Sequence, residues 1–286
     1  MASIKILRRR IRSIQGTAKI TRAMEMIATA KMRRTQQQAL AGRPYSQKIR
    51  QVIANLAIAP QAKGGIPPLL QRREVKKIYI IHMTTDRGLC GGLNTNLNRS
   101  VAKFILEQKA PVSLITVGRK GRSFARNSGL NIYAEFSGLG DRTSVRETLP
   151  ISRVVIEDYS KGDVDLVYLA YPHFASTMVQ KPTMEVLLPV EPAKLPPGQI
   201  GEYIYEPGAS AVLNELLPRF VEMQVYRGVL ELIASEQSAR MVAMRNASEA
   251  AQDMIASLTL TLNKARQESI TKEISEITGG AEIFKA

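Results

Sequence analysis

Residues 3–20, SIKILRRRIRSIQGTAKI, place Ile4, Leu7, Ile11, Ile14 and Ala18 in alternating steps of three and four. That is the spacing of the a and d positions in a coiled-coil seam. Ile20, Met24 and Ile27 extend an apolar stripe with the drift of a straight helix. Ile49, Val52, Ile53 and Leu56 repeat the spacing further along. Gly42 and Pro44 interrupt it, and Pro44 is expected to kink or locally break the helix. A helix of about 54 residues would be roughly 80 Å long at 1.5 Å per residue. No compact domain of this size needs one, so the helix is expected to project.

The end of the chain mirrors the beginning. From about residue 210 to 278 there is helical periodicity with almost no breaker. Leu213, Leu217 and Phe220 begin a stripe that Tyr226, Leu230 and Ile233 extend. Ala243, Ala247, Ala250, Met254 and Leu258 follow, then Leu262, Ala265, Ile270, Ile274 and Ile277. Pro218 is tolerable in a first turn and otherwise bends the helix. Gly279-Gly280 is expected to stop the pattern. About 65 helical residues would reach roughly 100 Å. Alanine at seam positions lets two helix axes approach closely. Two long amphipathic helices at opposite chain ends, one basic and one slightly acidic, read as an antiparallel pair.

The middle has a different grammar. Strands are expected at 75–85 (compact apolar run 78–81), 111–118, 130–136, 164–174, 182–190 and 202–205, with helices at 93–108, 119–128 and 143–160. Strands alternating with helices predict an α/β sandwich with a mainly parallel sheet, a Rossmann-like domain. Pro60, Gly64, Gly65, Pro67 and Pro68 mark 58–70 as a linker or loop, and Pro192, Pro196, Pro197 and Gly198 mark another. The predicted division is an N-terminal coiled-coil helix (1–57), a linker (58–74), an α/β domain (75–206) and a C-terminal coiled-coil helix (207–286).

Charge is uneven along the 286 residues, whose net is +15. Residues 1–50 hold thirteen Lys and Arg against one acid, Glu25, whereas 210–286 hold eight basic and ten acidic residues. The partner of the first helix should therefore be acidic: nucleic acid, an anionic membrane or an acidic protein collar. No run approaches eighteen apolar residues, so no membrane span is expected. The basic N-terminus continues without a break into the helical pattern and reads as mature structure rather than a targeting peptide. The single cysteine, Cys90, allows no internal disulfide and no metal cluster, and implies a reduced cytoplasmic setting.

Chemistry-bearing motifs are few. Asp86-Arg87-Gly88-Leu89-Cys90-Gly91-Gly92-Leu93-Asn94 lies between an expected strand and helix, where glycines could form a phosphate cradle or a tight structural turn. No Lys-Ser/Thr follows and the G-x-G-x-x-G spacing is absent, so a turn through Arg87, Gly88, Gly91 and Gly92 is favoured. Arg8, Arg9, Arg10, Arg12, Lys19 and Arg22, with Lys31, Arg33 and Arg34, are too one-signed for an ordinary solvated face. No aromatic residue precedes Tyr45 to offer a base-stacking platform. The carboxylate pairs Glu157/Asp158 and Asp163/Asp165 read as helix-end or turn solvation, and His82 and His173 as structural residues. No catalytic, metal or cofactor site is expected.

Several blocks carry a family resemblance. RRRIRSIQGTAKITRAMEMIATAKMRR (8–34) resembles the N-terminal signature of the ATP synthase gamma subunits, and TTDRGLCGGLNTNL (84–97) their Gly-rich turn. SEQSARMVAMRNASEAAQDMI (235–255) and LNKARQESITKEISEITGGA (262–281) are similar to their C-terminal helix. The resemblance covers the full length and implies a non-catalytic central rotor shaft of a proton-translocating rotary ATP synthase. Its implied partners are a hexameric collar of alpha and beta subunits, the epsilon subunit and the c-ring, with no cofactor and no nucleic acid. It implies a peripheral protein on the cytoplasmic face of the bacterial plasma membrane, attached through the c-ring only. The collar contacts it implies are Arg266, Gln267 and Thr271 in one block and Arg240 in another, with Arg8, Arg9, Arg33, Arg34 and Met24 on the first helix. The tip TGGAEIF (278–284) would turn in an apolar sleeve. Two departures stand out: Leu262 replaces a frequent Tyr, and Cys90 alone cannot form the dithiol switch of plant and algal relatives, so no thiol control is expected. The alternative reading is a basic coiled-coil arm that binds nucleic acid with steep salt dependence. A third reading makes the middle domain a nucleotide-dependent enzyme, which the missing motifs oppose.

Overall fold

The computed structural model describes residues 4–58, 67–192, 206 and 208–283. The expected strand 202–205, the turn at Pro196, Pro197 and Gly198, most of the connecting stretch 58–70 and the terminal Phe284 lie outside the described residues. In chain order the elements are α1 (Ile4–Ile58), a 3-10 turn (Pro68–Leu70), β1 (Ile78–Met83), α2 (Leu93–Glu107), β2 (Val112–Val117) and α3 (Arg119–Asn127). β3 (Ile132–Phe136), α4 (Val145–Lys161), β4 (Leu166–Phe174), β5 (Gln180–Leu188) and α5 (Ala209–Ile283) follow. They form two compact units: the two ends of the chain, up to Ile27 and from Arg240, and the stretch Ala28–Ala239.

The larger unit is built on a five-stranded sheet in the order β3-β2-β1-β4-β5. β1 runs parallel to β2 and β4, β2 parallel to β3, and β5 closes the edge antiparallel to β4. Strands joined by helices must cross over to stay parallel, which gives this doubly wound order. The central strand β1 is buried at all six residues. Ile78 and Ile80 pack with Leu97 and Val101 of α2 and Ala125 of α3. Tyr79, Ile81 and Met83 join the other core, with Ile151, Val155 and Tyr159 of α4. That same core takes in Ile49, Ile53 and Leu56 of α1, and Val221, Val225 and Val229 of α5. The continuous apolar run 78–81 is what a strand covered on both faces requires.

In the smaller unit the ends of α1 and α5 pair antiparallel along a heptad seam. Leu7, Thr21 and Glu25 are buried on α1, with Ile4, Ile11, Ile14 and Ala18 half-buried between them. On α5, Met241, Met244, Ser248 and Ala251 are buried, and Ile255, Leu258, Leu262, Ala265 and Ser269 are half-buried.

Both long helices depart in places from the pattern their sequences predict. Ile20 and Ile27 are 62% and 55% exposed, so the stripe does not drift onto them. The steps of three and four continue instead through the polar Thr21 and Glu25, because helix geometry, not residue polarity, sets the buried face. Likewise Ala250, Met254, Ile270, Ile274 and Ile277 are exposed, and the α5 seam runs through Ser248 and Ala251. Pro44 does not break α1, which continues through it to Ile58. The turns after it are anchored in the core by Ile49, Ile53 and Leu56, and that packing outweighs one missing backbone hydrogen bond. Pro218 is not in a first turn: α5 starts at Ala209, and the buried Leu213 and Leu217 hold the turn on which Pro218 sits. Gly279-Gly280 does not stop α5, which reaches Ile283.

Candidate functional site

Most of the residues implied as partner contacts are exposed on helix flanks, whereas Met24 and Arg240 are half-buried. In the smaller unit Arg8 and Arg9 are exposed immediately after the buried Leu7. Met24 is half-buried beside the buried Glu25, and Arg240 is half-buried next to the buried Met241. Arg266, Gln267 and Thr271 are all exposed. Gln267 and Thr271 share one face of α5 with Lys264, Glu268, Lys272 and Ser275, where they line a shallow depression. These flanks are mixed: Ile20, Met26 and Ile27 on α1 and Leu260, Ile274 and Ile277 on α5 are more than half exposed. In the larger unit Arg33 and Arg34 are exposed between the buried Met32 and Thr35. Arg34 lines a cavity of about 390 Å³ with Lys31, Gly140, Asp141, Arg142 and Glu147. Lys31 pairs with Asp141, which also accepts a hydrogen bond from Gln237 Nε2 at 3.0 Å.

Charge pairing inside the helical unit centres on a residue that apolar patterning passes over. Glu25 accepts from Arg245 Nε at 2.9 Å and from Arg22 Nη1 at 3.5 Å. Glu25 is buried, while Arg245 and Arg22 are 52% and 65% exposed at their side chains. One signal could have found it: counting heptads on from Ala18 reaches Thr21 and Glu25, and Glu25 is the lone acid of the first fifty residues.

The Gly-rich segment is a turn held by its own side chains. Leu89 and Gly91 have φ of 64° and 56°, the left-handed region. Thr85 N–H donates to Asn94 Oδ1 (3.1 Å), and Thr85 Oγ1 donates to the Arg87 carbonyl (2.6 Å). Asn94 Nδ2 donates to Thr85 Oγ1 (2.8 Å) and to the buried Cys90 Sγ (3.3 Å). Arg87 is exposed, and Gly88 and Gly92 have negative or ordinary backbone angles that demand no glycine.

At the carboxyl ends of the strands, where an open α/β sheet binds ligands, this chain leaves little room. The first amides of α3 are already satisfied: Arg119 N–H donates to Asp86 Oδ1 (2.9 Å), Lys120 N–H to the Thr85 carbonyl (3.1 Å) and Gly121 N–H to Thr84 Oγ1 (2.7 Å). Asp86 Oδ2 accepts from Gly138 N–H at 2.8 Å. The space between Thr84, Asp86, Gly118 and the α5 residues Val229, Leu232 and Ile233 measures about 20 Å³, room for a single water and not for a phosphate. α5 reaches this point because Gly228 lacks a Cβ, which would stand 3.0 Å from Leu169 Cδ2 and Met83 Sδ. Among the described residues no three His, Cys, Asp or Glu side chains converge as metal ligands, and no helix is long and apolar enough to cross a membrane. His82 is fully buried, and desolvation lowers its imidazole to about 4. A group kept neutral and enclosed in this way serves packing.

The chain is similar to known proteins over nearly its whole length. Residues 3–283 match the profile of the family described as ATP synthase. The ATP synthase gamma chain of Dehalococcoides mccartyi is 59% identical over 281 residues, covering 98% of this chain and 99% of that one. That of Pelotomaculum thermopropionicum is 50% identical, with the same two coverages. Among solved structures, the rotor of the Euglena gracilis mitochondrial ATP synthase superposes with a TM-score of 0.65 at 20% identity, covering 94% of this chain and 99% of that one. A second structure of the Euglena gracilis enzyme, containing OSCP, F1 and c-ring, gives a TM-score of 0.68 at 18% identity over 99% of this chain and 94% of that one. At these identities the structural likeness speaks to the fold.

Proposed function

The chain belongs to the ATP synthase gamma-chain family, the central stalk of the rotary enzyme, and we propose on that premise how its parts do the work. Residues 1–57 and 207–286 form the stalk, 75–206 the foot, and 58–74 connect them. The stalk turns inside a hexameric collar of alternating alpha and beta subunits. The foot binds the epsilon subunit and the c-ring, and membrane contact runs through that ring on the cytoplasmic face of the bacterial plasma membrane. Proton flow turns ring and stalk together, and the turning stalk biases each catalytic site in succession between conformations of different nucleotide affinity. The chain itself contributes no catalytic residue.

The observation that carries this reading is how burial is divided in the helical unit. Seam positions are covered, whereas Ile20, Met26, Leu260 and Ile277 stay exposed beside Arg8, Arg9 and Arg266. An apolar surface of this kind signals a partner. Apolar contacts are non-directional and let a surface slide, and exposed cations can be pushed by acidic loops without forming lasting pairs. On this reading Arg266, Gln267, Thr271 and Arg240 meet the collar at one level, and Met24, Arg8, Arg9, Arg33 and Arg34 meet it elsewhere along the stalk.

The test is co-purification from the native membrane. The tagged chain, recovered after gentle solubilisation, should bring down alpha, beta, epsilon and c subunits as a complex that hydrolyses ATP. Recovery of the chain alone, or with nucleic acid that leaves at raised salt, would overturn the reading.

A further inference from the structure

The seam of the helical unit poses a register problem. Antiparallel helices joined by a heptad seam can slide by one heptad, about 10 Å, and remain apolar against apolar. Small seam residues lower the penalty for sliding, because they fill no deep hole that fixes one alignment. Ala18 and Ala251 are seam residues of this kind here. Large knobs such as Leu7 and Met244 have apolar counterparts one heptad away, Ile14 and Ala251.

One seam residue is not interchangeable. Glu25 is buried at a heptad position and carries a charge. Its carboxylate takes Arg245 Nε of the opposite helix at 2.9 Å and Arg22 Nη1 of its own helix at 3.5 Å. Arg245 follows the seam residue Met244 and reaches in from the flank, half exposed. One heptad away on α5, in either direction, stand Ser238 and Gln252 instead of a cation. A slipped helix pair would therefore leave a buried carboxylate facing no guanidinium from its partner, the costly state for an ion pair. Thr21 and Ser248 are also polar seam residues, but Glu25 is the seam residue with an ionisable side chain and a charged partner on the opposite helix. A polar group at a seam position is the best-attested way to fix alignment.

We infer that the Glu25–Arg245 pair is the register key of the two-helix stalk, with Arg22 steadying the carboxylate. Glu25 and Arg245 are positioning residues: they touch no reactant and hold one helix against axial slip on the other. This rests on the central-stalk reading for its consequence, since slip between the helices dissipates torque before it reaches the catalytic sites.

The register can be read independently of the function. Counting one heptad outward from Glu25 and from Met244, the seam residue next to Arg245, sets position 18 opposite position 251. In the assembled complex the double variant A18C/A251C should form a disulfide under mild oxidation, whereas the heptad-shifted pairs A18C/M244C and A18C/L258C should not. Adding E25Q or R245Q should lower the native cross-link at least threefold and bring up a shifted one, and R245K should restore the native pattern. R245Q changes a half-exposed side chain and is the safer variant for assembly. Without the added cysteines, E25Q and R245Q should reduce protons pumped per ATP hydrolysed at least twofold while hydrolysis persists. Native cross-linking unchanged in both E25Q and R245Q overturns the inference, whatever the pumping shows. A shifted cross-link with unchanged pumping leaves the register key standing and counts against the stalk reading.

Discussion

Gly118 is the residue whose replacement should be least tolerated. Its φ is 93°, and a Cβ there would stand 2.1 Å from the Thr84 carbonyl oxygen, a backbone atom that cannot swing away. Gly118→Ala should therefore cost about 3 kcal/mol or more, seen as faster hydrogen exchange of the β1 and β2 amides. His82 makes a pH prediction at the same scale. Desolvation lowers its pKa to about 4, with the Asn98 side chain opposing the shift. The unfolded imidazole titrates near 6.5, so between these values the unfolded chain binds the extra proton. The stability it carries is complete above about pH 6.5 and is lost as pH falls through about 4, amounting to roughly 3 kcal/mol. His82→Leu should flatten that part of the pH dependence of β1 exchange. An unchanged slope between pH 7 and 4.5 would show that the ring is not the responsible group.

At the scale of elements, α5 crosses the carboxyl edge of the sheet because Gly228 has no side chain. Gly228→Val would place methyls against Leu169 and Met83, which a Cβ alone would already approach to 3.0 Å. Overpacking of this kind costs about 1–3 kcal/mol, and a fall in the denaturation midpoint of the full chain would show it. The first helix predicts the opposite sign. Pro44 is exposed inside α1, where it supplies no amide hydrogen. Pro44→Ala should stabilise the helix by about 1–3 kcal/mol, measured as slower amide exchange between residues 36 and 50. No change would mean that the neighbouring turns already hold the helix without that bond. Both positions show tertiary packing deciding what propensity alone does not: a glycine kept for approach, and a proline overridden by anchors on its C-terminal side.

For the whole molecule, the net charge is +15 and is concentrated in the first fifty residues, so on the proposed rotor reading charge should govern how fast the chain meets an acidic collar. Electrostatic steering acts on association rate and is screened by salt. Replacing Arg8, Arg9, Arg33 and Arg34 by Ala should slow assembly with an isolated alpha–beta collar about tenfold at low salt. It should also reduce the salt dependence of that rate, as stopped-flow light scattering would record. Surface substitutions of this kind should leave the stability of the chain within about 0.5 kcal/mol. A slowed rate with unchanged salt dependence would point to lost shape contacts rather than lost charge.

Periodicity alone determined much of this protein. Ile4, Leu7, Ile11, Ile14 and Ala18 announced a seam, and the run at 78–81 announced a strand covered on both faces, because local geometry repeats in the chain at 3.6 or 2 residues. The alternation of strands and helices likewise carried the parallel sheet. Tertiary structure decided where polarity and geometry part company. Ile20, Ile27 and Met254 look like core and lie outside, while Thr21, Glu25 and Ser248 look like surface and lie within. The buried Glu25 has one cation close by, Arg22, but its shorter contact is with Arg245, 220 residues away. Nothing local to either residue could have revealed that pairing. The same holds at the Gly-rich turn: its sequence left a phosphate cradle and a tight turn both open. Only the arrival of Val229, Leu232 and Ile233 from α5 reduced the crevice to about 20 Å³, too small for a phosphate because α5 packs across the sheet edge where a ligand would sit.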